Sequence, residues 1–203
     1  DAARRWGLHA GDAVVVYDDF RSVSAARAWW LLRGAGVSDI RVLDGGLSAW
    51  RATGLPLETG DVSPEPGSIL FDGVEEGISI DEAAAWPQRG VLLDARAPER
   101  YRGESEPFDP VAGHIPGAVN LPADAVLDGA SFAPPATIRA AFESVGVSDL
   151  TSVAAYCGSG LTAAHTALAG AAAGLDVAVY PGSWSQWSNT AGRPVATGAE
   201  PGA

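Results

Sequence analysis

The chain has 203 residues, of which 47% are hydrophobic and 19% charged, and this length suits one ordinary domain or two small ones with a buried core. No apolar stretch reaches the roughly 18 residues that a membrane span needs, so the composition indicates a globular protein rather than a membrane protein. The formal charge of −12 argues against nucleic acid as a partner, and the absence of Lys excludes Schiff-base chemistry and Walker-type phosphate loops, which need a lysine amine.

The first part of the chain alternates short β-rich runs with apolar residues at helical spacing. Strands are predicted at residues 13–17 and 40–43, and helices at residues 24–34 and 47–52. The following segment loses the apolar period and contains two prolines, which is typical of an extended connection. We therefore predict a first domain at residues 1–57, a linker at 58–67 and a second domain at 68–203.

The second part shows the same alternation. Ser79 and Glu82 have the spacing of a capping box at the start of a helix. Residues 95–122 form a long loop rich in Gly and Pro, and a loop of this length in a compact domain is either functional or disordered; its turns and apolar residues favour function. The predicted helices are 81–86, 136–145, 162–173 and a helical turn at 184–188, and the predicted strands are 91–94, 153–156 and 177–180. This order predicts an α/β fold, with a mainly parallel sheet covered by helices on both faces.

An internal repeat connects the two parts. Tyr17 and Asp18 match Tyr156 and Cys157 in position, and the spacing to the following helix and turn agrees to within about two residues. The further matching segments are 24–26 with 162–164, and 44–46 plus Trp50 with 181–183 plus Trp187. Two copies of one α/β unit are therefore predicted, and we expect that the first lacks its opening half and that the chain begins partway through a longer gene product.

Cys157, the only cysteine, lies directly after a predicted strand and before a predicted helix. A lone cysteine forms no intramolecular disulfide, which favours a reducing, cytoplasmic compartment. Gly158 and Gly160 allow successive loop N–H groups to point inward, and the following helix adds the positive end of its dipole. We therefore expect the sulfur to be held as a nucleophilic thiolate, against the alternative of a small buried hydrophobic residue.

Two chemistries compete for such a loop. A cysteine phosphatase needs an arginine six residues after the nucleophile, because its guanidinium clamps two phosphate oxygens. That position here is Ala163, and the loop is one residue too short before its helix for that geometry. The sequence therefore favours a persulfide, Cys–S–SH, over a phosphate ester.

With these residues in place, the chain resembles the rhodanese superfamily, and in particular its two-domain sulfurtransferases that act on thiosulfate or 3-mercaptopyruvate. The loop at 157–162 is similar to the active loop of the mercaptopyruvate branch. The other segments that look like family signatures are 93–96 with 99–103, 113–118, 180–184, and 43–46 with Trp50. The resemblance covers nearly the whole chain and implies tandem rhodanese-like domains, each a mainly parallel sheet flanked by helices, with the first domain inactive and truncated.

The resemblance also implies a ping-pong sulfur transfer, in which Cys157 takes the outer sulfur of the donor and a thiol or cyanide collects it. Arg100 matches the arginine that binds the donor's anionic group. Ser159 matches a serine proposed to relay a proton with a His and an Asp that would lie in the missing half-domain. The site residues expected in this way are Cys157 and Ser159 as catalytic residues and Arg100, Gly158, Gly160, Leu161 and Thr162 as substrate-binding residues.

The donor stays open between mercaptopyruvate and thiosulfate. Gly158 and Ser159 carry no charge where the thiosulfate-preferring loop has basic residues, which favours mercaptopyruvate, but a second substrate-binding arginine of that branch would fall at Phe108. The alternative function is a weak sulfur-relay or binding module that accepts a persulfide from a protein partner. We expect no cofactor, no metal and no nucleic acid or membrane partner, only a small-molecule donor and a thiol acceptor.

Three further residues are expected to be structural. Arg96 follows a predicted strand and is expected to tie the long loop to a carboxylate such as Asp94 or Glu99. His114 is expected to bond to backbone within its loop, and His165 to pack on a helix face.

Overall fold

The computed structural model describes residues 2–75 and 77–202 and divides the chain into two compact units, residues 1–76 and 77–203. The division lies beyond the predicted linker, because backbone bonds hold that segment's end in the first unit: Gly67 N donates to Arg4 O at 2.7 Å and Ile69 N donates to Leu8 O at 3.1 Å. A Cβ at Gly67 would lie 2.0 Å from Leu8 O, so this close approach requires glycine. In the described residues, no helix has both the length and the apolar character to cross a membrane.

The first unit contains two parallel strands and their flanking helices. In chain order its elements are α1 (Ala2–Arg5), β1 (Val14–Val16), α2 (Val23–Gly34), β2 (Ile40–Val42) and α3 (Gly46–Ala52). Strands β1 and β2 pair in register with Val14 opposite Ile40. Helix α2 buries Ala25, Ala26 and Trp29, so its apolar spacing puts one face into the core.

The second unit is built around a parallel sheet. Its helices are α4 (Ile80–Ala85), α5 (Pro98–Tyr101), α6 (Pro135–Glu143), α7 (Leu161–Ala172) and α8 (Ser183–Asn189), and its strands are β3 (Gly90–Asp94), β4 (Val119–Asn120), β5 (Leu127–Asp128), β6 (Ser131–Phe132), β7 (Ser152–Tyr156) and β8 (Val177–Val179). The main sheet has the order β4-β3-β7-β8, and every neighbouring pair in it is parallel.

Both faces of this sheet are buried, as the hydrophobic pattern predicts. Because side chains alternate along a strand, Ala154 and Tyr156 of β7 share one face, where they join a core that includes Trp184 and Trp187 of α8. Val153 and Ala155 point to the other face, on the side where α7 packs against β7 and β8. The predicted α/β fold with a parallel sheet between helices is confirmed.

The capping box is confirmed, and the long loop contains more structure than predicted. Ser79 Oγ accepts the Glu82 N–H at 3.3 Å, and the Glu82 carboxylate accepts the Ser79 N–H at 2.7 Å. The segment at 95–122 includes helix α5 and strand β4. Helix α5 begins at Pro98, and proline is favourable in the first turn of a helix. The hairpin of β5 and β6 has only two residues in each strand, too few to produce a period-2 pattern.

Candidate active site

The loop that carries Cys157 joins the central strand β7 to helix α7. Gly160 precedes α7 with φ +82°, and a Cβ there would lie 2.5 Å from Pro181 O, so glycine is required by both its conformation and its surroundings. In this conformation Gly160 N donates to Cys157 Sγ at 3.1 Å. The turn therefore aims the Gly160 N–H at the sulfur, where the sequence predicts several such donors.

Ser183 holds Cys157 from the opposite side and was not identified from the sequence. Cys157 N donates to Ser183 Oγ at 3.1 Å, that hydroxyl donates to Tyr180 O at 2.9 Å, and it lies 4.0 Å from Cys157 Sγ. Ser183 is fully buried and has φ +53°, a conformation that a non-glycine residue rarely adopts. Such strain is typical of functional sites.

The internal repeat contained the signal that could have identified Ser183. Its counterpart in the first unit is Gly46, which adopts φ +64° without the cost of a side chain. A serine that replaces glycine in a left-handed conformation indicates that its hydroxyl is needed there. In this unit the hydroxyl holds the backbone of Cys157.

Asp18, the counterpart of Cys157, fills the equivalent loop of the first unit with its own carboxylate. One of its oxygens accepts the N–H groups of Phe20 at 2.7 Å and Ser22 at 2.9 Å, and the other accepts the N–H of Ala25 at 2.7 Å. These three amides converge on a fixed negative charge at the start of α2. The same position of the loop therefore carries an acceptor of backbone N–H groups in both units, the Asp18 carboxylate in one and the Cys157 sulfur in the other.

Cys157 is 2% exposed and lies in the wall of a cavity of about 520 Å³. The cavity brings together most of the residues that the sequence assigned to the site. Leu161 is 41% exposed in the first turn of α7, and neither it nor Gly160 belongs to the cavity lining that the described residues form; Gly160 reaches the sulfur through its N–H. The lining residues are Ala95, Arg96, Ala97, Arg100, Phe108, Asp109, Cys157, Gly158, Ser159, Thr162 and Ser185.

Arg100 supplies a positive charge beside the nucleophile loop. Its guanidinium packs against Gly158, where a Cβ would lie 3.4 Å from Arg100 Nη1. Nη2 lies 2.6 Å from Glu106 Oε1 and 3.5 Å from Asp109 Oδ2, and the ring of Phe108 is 5.2 Å from the guanidinium carbon. The side chain is 17% exposed, so the charge is held in place and still reaches the cavity.

Arg96 is buried and links the long loop to Asp94 at the end of β3, as predicted. Its guanidinium binds the Asp94 carboxylate, with the shortest bond 2.6 Å from Nη2, and it also reaches Glu106 Oε2 at 3.1 Å and Gly113 O at 2.6 Å. Burial opposes the charge of Arg96, but the nearby Asp94 and Glu106 carboxylates raise its pKa above the usual arginine value. Glu106, rather than Glu99, is the second carboxylate, and it connects Arg96 to Arg100.

His114 also has the structural place expected of it. Its Nδ1 lies 2.8 Å from Tyr101 O and its Nε2 lies 3.2 Å from Pro201 O, and its ring stacks on Tyr101 at 3.8 Å. Burial, with a smaller contribution from the Asp94 charge, raises the pKa of Tyr101 to about 12. Both rings therefore pack within the loop, and neither belongs to the cavity lining that the described residues form.

Comparison with known proteins identifies the family of the chain. The Rhodanese-like domain family matches residues 2–53 and 79–190. A proposed thiosulfate sulfurtransferase of Mycobacterium tuberculosis, SseB, is 46% identical over 200 residues, which is 96% of this chain and 70% of that protein. The human 3-mercaptopyruvate sulfurtransferase is 36% identical over 201 residues, covering 91% of this chain and 65% of the human protein.

A solved structure has a similar fold. The crystal structure of SseA from Escherichia coli, a 3-mercaptopyruvate enzyme, superimposes with a TM-score of 0.79 at 32% identity and covers 91% of this chain and 71% of that one. The family match extends over both units, including the nucleophile loop. The chain therefore belongs to the rhodanese family.

Proposed function

We propose that this chain is a sulfurtransferase that moves a sulfane sulfur from 3-mercaptopyruvate or thiosulfate to a thiol or cyanide through a persulfide on Cys157. The observation that carries the proposal is the sulfur itself, which accepts the Gly160 N–H at 3.1 Å and shares a cavity with the Arg100 guanidinium. A directed N–H donor stabilises a sulfur anion, and a guanidinium binds an anionic donor.

The first half of the reaction loads the sulfur. The Cys157 thiolate attacks the outer sulfur of the donor and forms a new S–S bond. The bond from that sulfur to carbon in mercaptopyruvate, or to the central sulfur in thiosulfate, breaks, and its electron pair leaves with pyruvate enolate or sulfite. The enolate then takes a proton and becomes pyruvate, so no external oxidant or reductant is needed.

The second half returns the enzyme to its starting state. An acceptor thiolate or cyanide attacks the terminal sulfur of the persulfide, and Cys157 leaves as a thiolate. Ser159 and Thr162 line the same cavity as the sulfur, and their hydroxyls are expected to hydrogen-bond an oxygen of the leaving enolate or sulfite, or the terminal sulfur. Gly158 leaves room for the Arg100 guanidinium against the loop.

An enzyme is a better account than the alternative of a relay module. The cavity of about 520 Å³ is large enough for a small donor, and the relatives carry the names of enzymes that use small sulfur donors. A cytoplasmic location is part of the proposal, because a persulfide that is discharged by thiols suits a reducing compartment.

Intact mass measurement tests the proposal directly. The full chain is incubated with mercaptopyruvate or with thiosulfate, freed of donor, and weighed. We expect a gain of one sulfur atom that peptide mapping places on Cys157, and its loss when cyanide is added. No gain from either donor would refute the proposed transfer and favour loading by a protein partner.

Replacing Arg100 with alanine is expected to lower kcat/KM for mercaptopyruvate by about 100-fold, since a charge-assisted guanidinium pair to the donor contributes about 3 kcal/mol. Steady-state kinetics measure this change. Alkylation of Cys157 by neutral iodoacetamide should keep its rate, because the reagent has no charge for Arg100 to bind.

The matched control is Arg102→Ala, in the same loop. Arg102 pairs with Glu104 and is outside the cavity lining that the described residues form. It should leave kcat/KM near the unsubstituted value. Equal losses of donor use and of alkylation in the Arg100 variant would show that Arg100 supports the loop rather than binds the donor.

A further inference from the structure

One carboxylate in the cavity has no part in the proposed transfer. The Asp109 side chain is 6% exposed and lines the cavity together with Cys157 and Arg100. Among the described residues, its Oδ2 is buried without a hydrogen-bond partner, and its ion pair is with Arg100 Nη2 at 3.5 Å. A buried oxygen left in this state is costly unless a ligand or a function accounts for it.

The two carboxylates around Arg100 are held differently. Glu106 bonds Arg100 at 2.6 Å and is also bound by Arg96, so it is fixed from two sides. Asp109 lies 0.9 Å further from Arg100 than Glu106 does, at 3.5 Å against 2.6 Å, which is beyond normal hydrogen-bond distance. Asp109 lines the cavity and Glu106 does not, so an anion that approaches Arg100 from the cavity meets the Asp109 carboxylate. The anion must displace this carboxylate from Arg100 or bind against its repulsion.

The charges of the cavity wall make this competition strong. Arg96 is satisfied by Asp94 and Glu106, which leaves Arg100 as the cation that a ligand can use among the described lining residues. The two guanidiniums of this group face three carboxylates, those of Asp94, Glu106 and Asp109, so acidic groups outnumber basic ones by one. The site therefore does not attract anions by charge alone, and its selectivity depends on how many charges the donor brings.

We propose that Asp109 is a specificity-determining residue that competes with the donor's anionic group for Arg100 and so favours a monoanionic donor over a dianionic one. The inference rests on the proposed function, in which Arg100 binds the donor. Coulomb repulsion is proportional to the ligand's charge, so the logarithm of the affinity lost to Asp109 is about twice as large for a dianion. A carboxylate donor such as mercaptopyruvate is thereby preferred over thiosulfate.

The test uses two inert anions that match the charges of the donors. Pyruvate, a monoanion, and sulfate, a dianion, are titrated against the rate at which iodoacetamide alkylates Cys157 in the full chain. Removing the charge with Asp109→Asn is expected to lower the half-protecting concentration about fivefold for pyruvate and about 25-fold for sulfate. With donors, KM for thiosulfate should fall more than KM for mercaptopyruvate.

Two variants control the experiment. Asp109→Glu keeps the charge and should keep the preference for the monoanion, while Asp128→Asn removes an exposed carboxylate from the β5–β6 hairpin and should change neither concentration. Circular dichroism verifies that each variant is folded. Should Asp109→Asn fail to fold, the comparison of Asp109→Glu with Asp109→Ser gives the same contrast of charge.

The outcomes separate this inference from the proposed function. If Asp109→Asn lowers the half-protecting concentrations of pyruvate and sulfate by the same factor, or lowers neither of them, the proposed role of Asp109 is wrong. This conclusion holds even if the wild-type chain forms the persulfide and Arg100→Ala loses anion protection. If wild-type chain forms no persulfide and Arg100→Ala protects as well as wild type, the proposed function fails and the inference fails with it.

Discussion

Replacing Cys157 with serine is expected to abolish persulfide formation and to lower sulfur transfer by at least about 10⁴-fold. A serine hydroxyl stays protonated near neutral pH, and its oxygen forms no stable bond that can carry a sulfane sulfur. The surroundings of the residue are expected to survive, because Gly160 N can donate to an oxygen as well as to a sulfur, and the Cys157 backbone bonds to Ser183 and Trp184 do not involve its side chain.

Two measurements check this expectation. Intact mass after donor incubation should show no added sulfur on the Cys157→Ser chain, and the rate of thiocyanate formation from thiosulfate and cyanide should fall to the uncatalysed rate. Urea unfolding of the variant should remain close to that of the unsubstituted chain, which separates lost chemistry from lost structure. Transfer that persists at more than a small fraction of the original rate would place the reacting group elsewhere.

Local signals allowed much of the nucleophile loop to be predicted. Cys157, Gly158 and Gly160 are neighbours in sequence, and a Gly-rich turn between a strand and a helix has a limited set of conformations. The position of Arg100 depended on the resemblance to a family, since a single arginine in a long loop has no period that marks it. The structure then places its guanidinium beside Gly158.

The residues that were missed act through contacts far apart in sequence. Ser183 lies 26 positions from Cys157 and reaches it because the carboxyl ends of β7 and β8 meet at one edge of the sheet. Glu106 and Asp109 belong to an acidic segment whose default interpretation is a solvated loop. Only the path of the folded loop shows that both side chains turn inward towards Arg100.

Secondary structure was predictable where the pattern was long enough to count. Helices α2 and α7 begin one residue before their predicted starts, and the main strands lie within their predicted runs to a residue or two. Helix α1 and the β5–β6 hairpin were missed, since elements of two to four residues contain about one turn or one alternation. Their formation depends on tertiary contacts rather than on local preference.

The Asp18 loop of the first unit and the Cys157 loop of the second unit use their backbone N–H groups differently. In the first, the Asp18 carboxylate permanently satisfies three converging amides, so no amide of that set is free for a ligand. In the second, the sulfur of Cys157 takes the Gly160 N–H and still lies in a cavity wall. A fixed charge stabilises a fold, whereas a sulfur that exchanges its substituent can turn over.

The second large effect concerns the buried pair of Asp94 and Arg96, whose side chains are 0% and 1% exposed. Replacing Asp94 with asparagine, or Arg96 with methionine, is expected to lower the free energy of unfolding by about 3–5 kcal/mol, because each removes the nearest opposite charge from a buried charged group. Both changes should also reduce donor use, since Arg96 holds Glu106 and Gly113 and thereby positions the loop that carries Arg100.

Urea unfolding of the single variants and of the double variant measures the coupling. The double variant Asp94→Asn/Arg96→Met should lose much less stability than the sum of the single losses, because it leaves neither charge unpaired. Arg102→Ala is the control, since it breaks an exposed arginine–carboxylate pair in the same loop and should have a far smaller effect. If Arg96→Met proves no more damaging than Arg102→Ala, then the buried pair does not anchor the loop that carries Arg100.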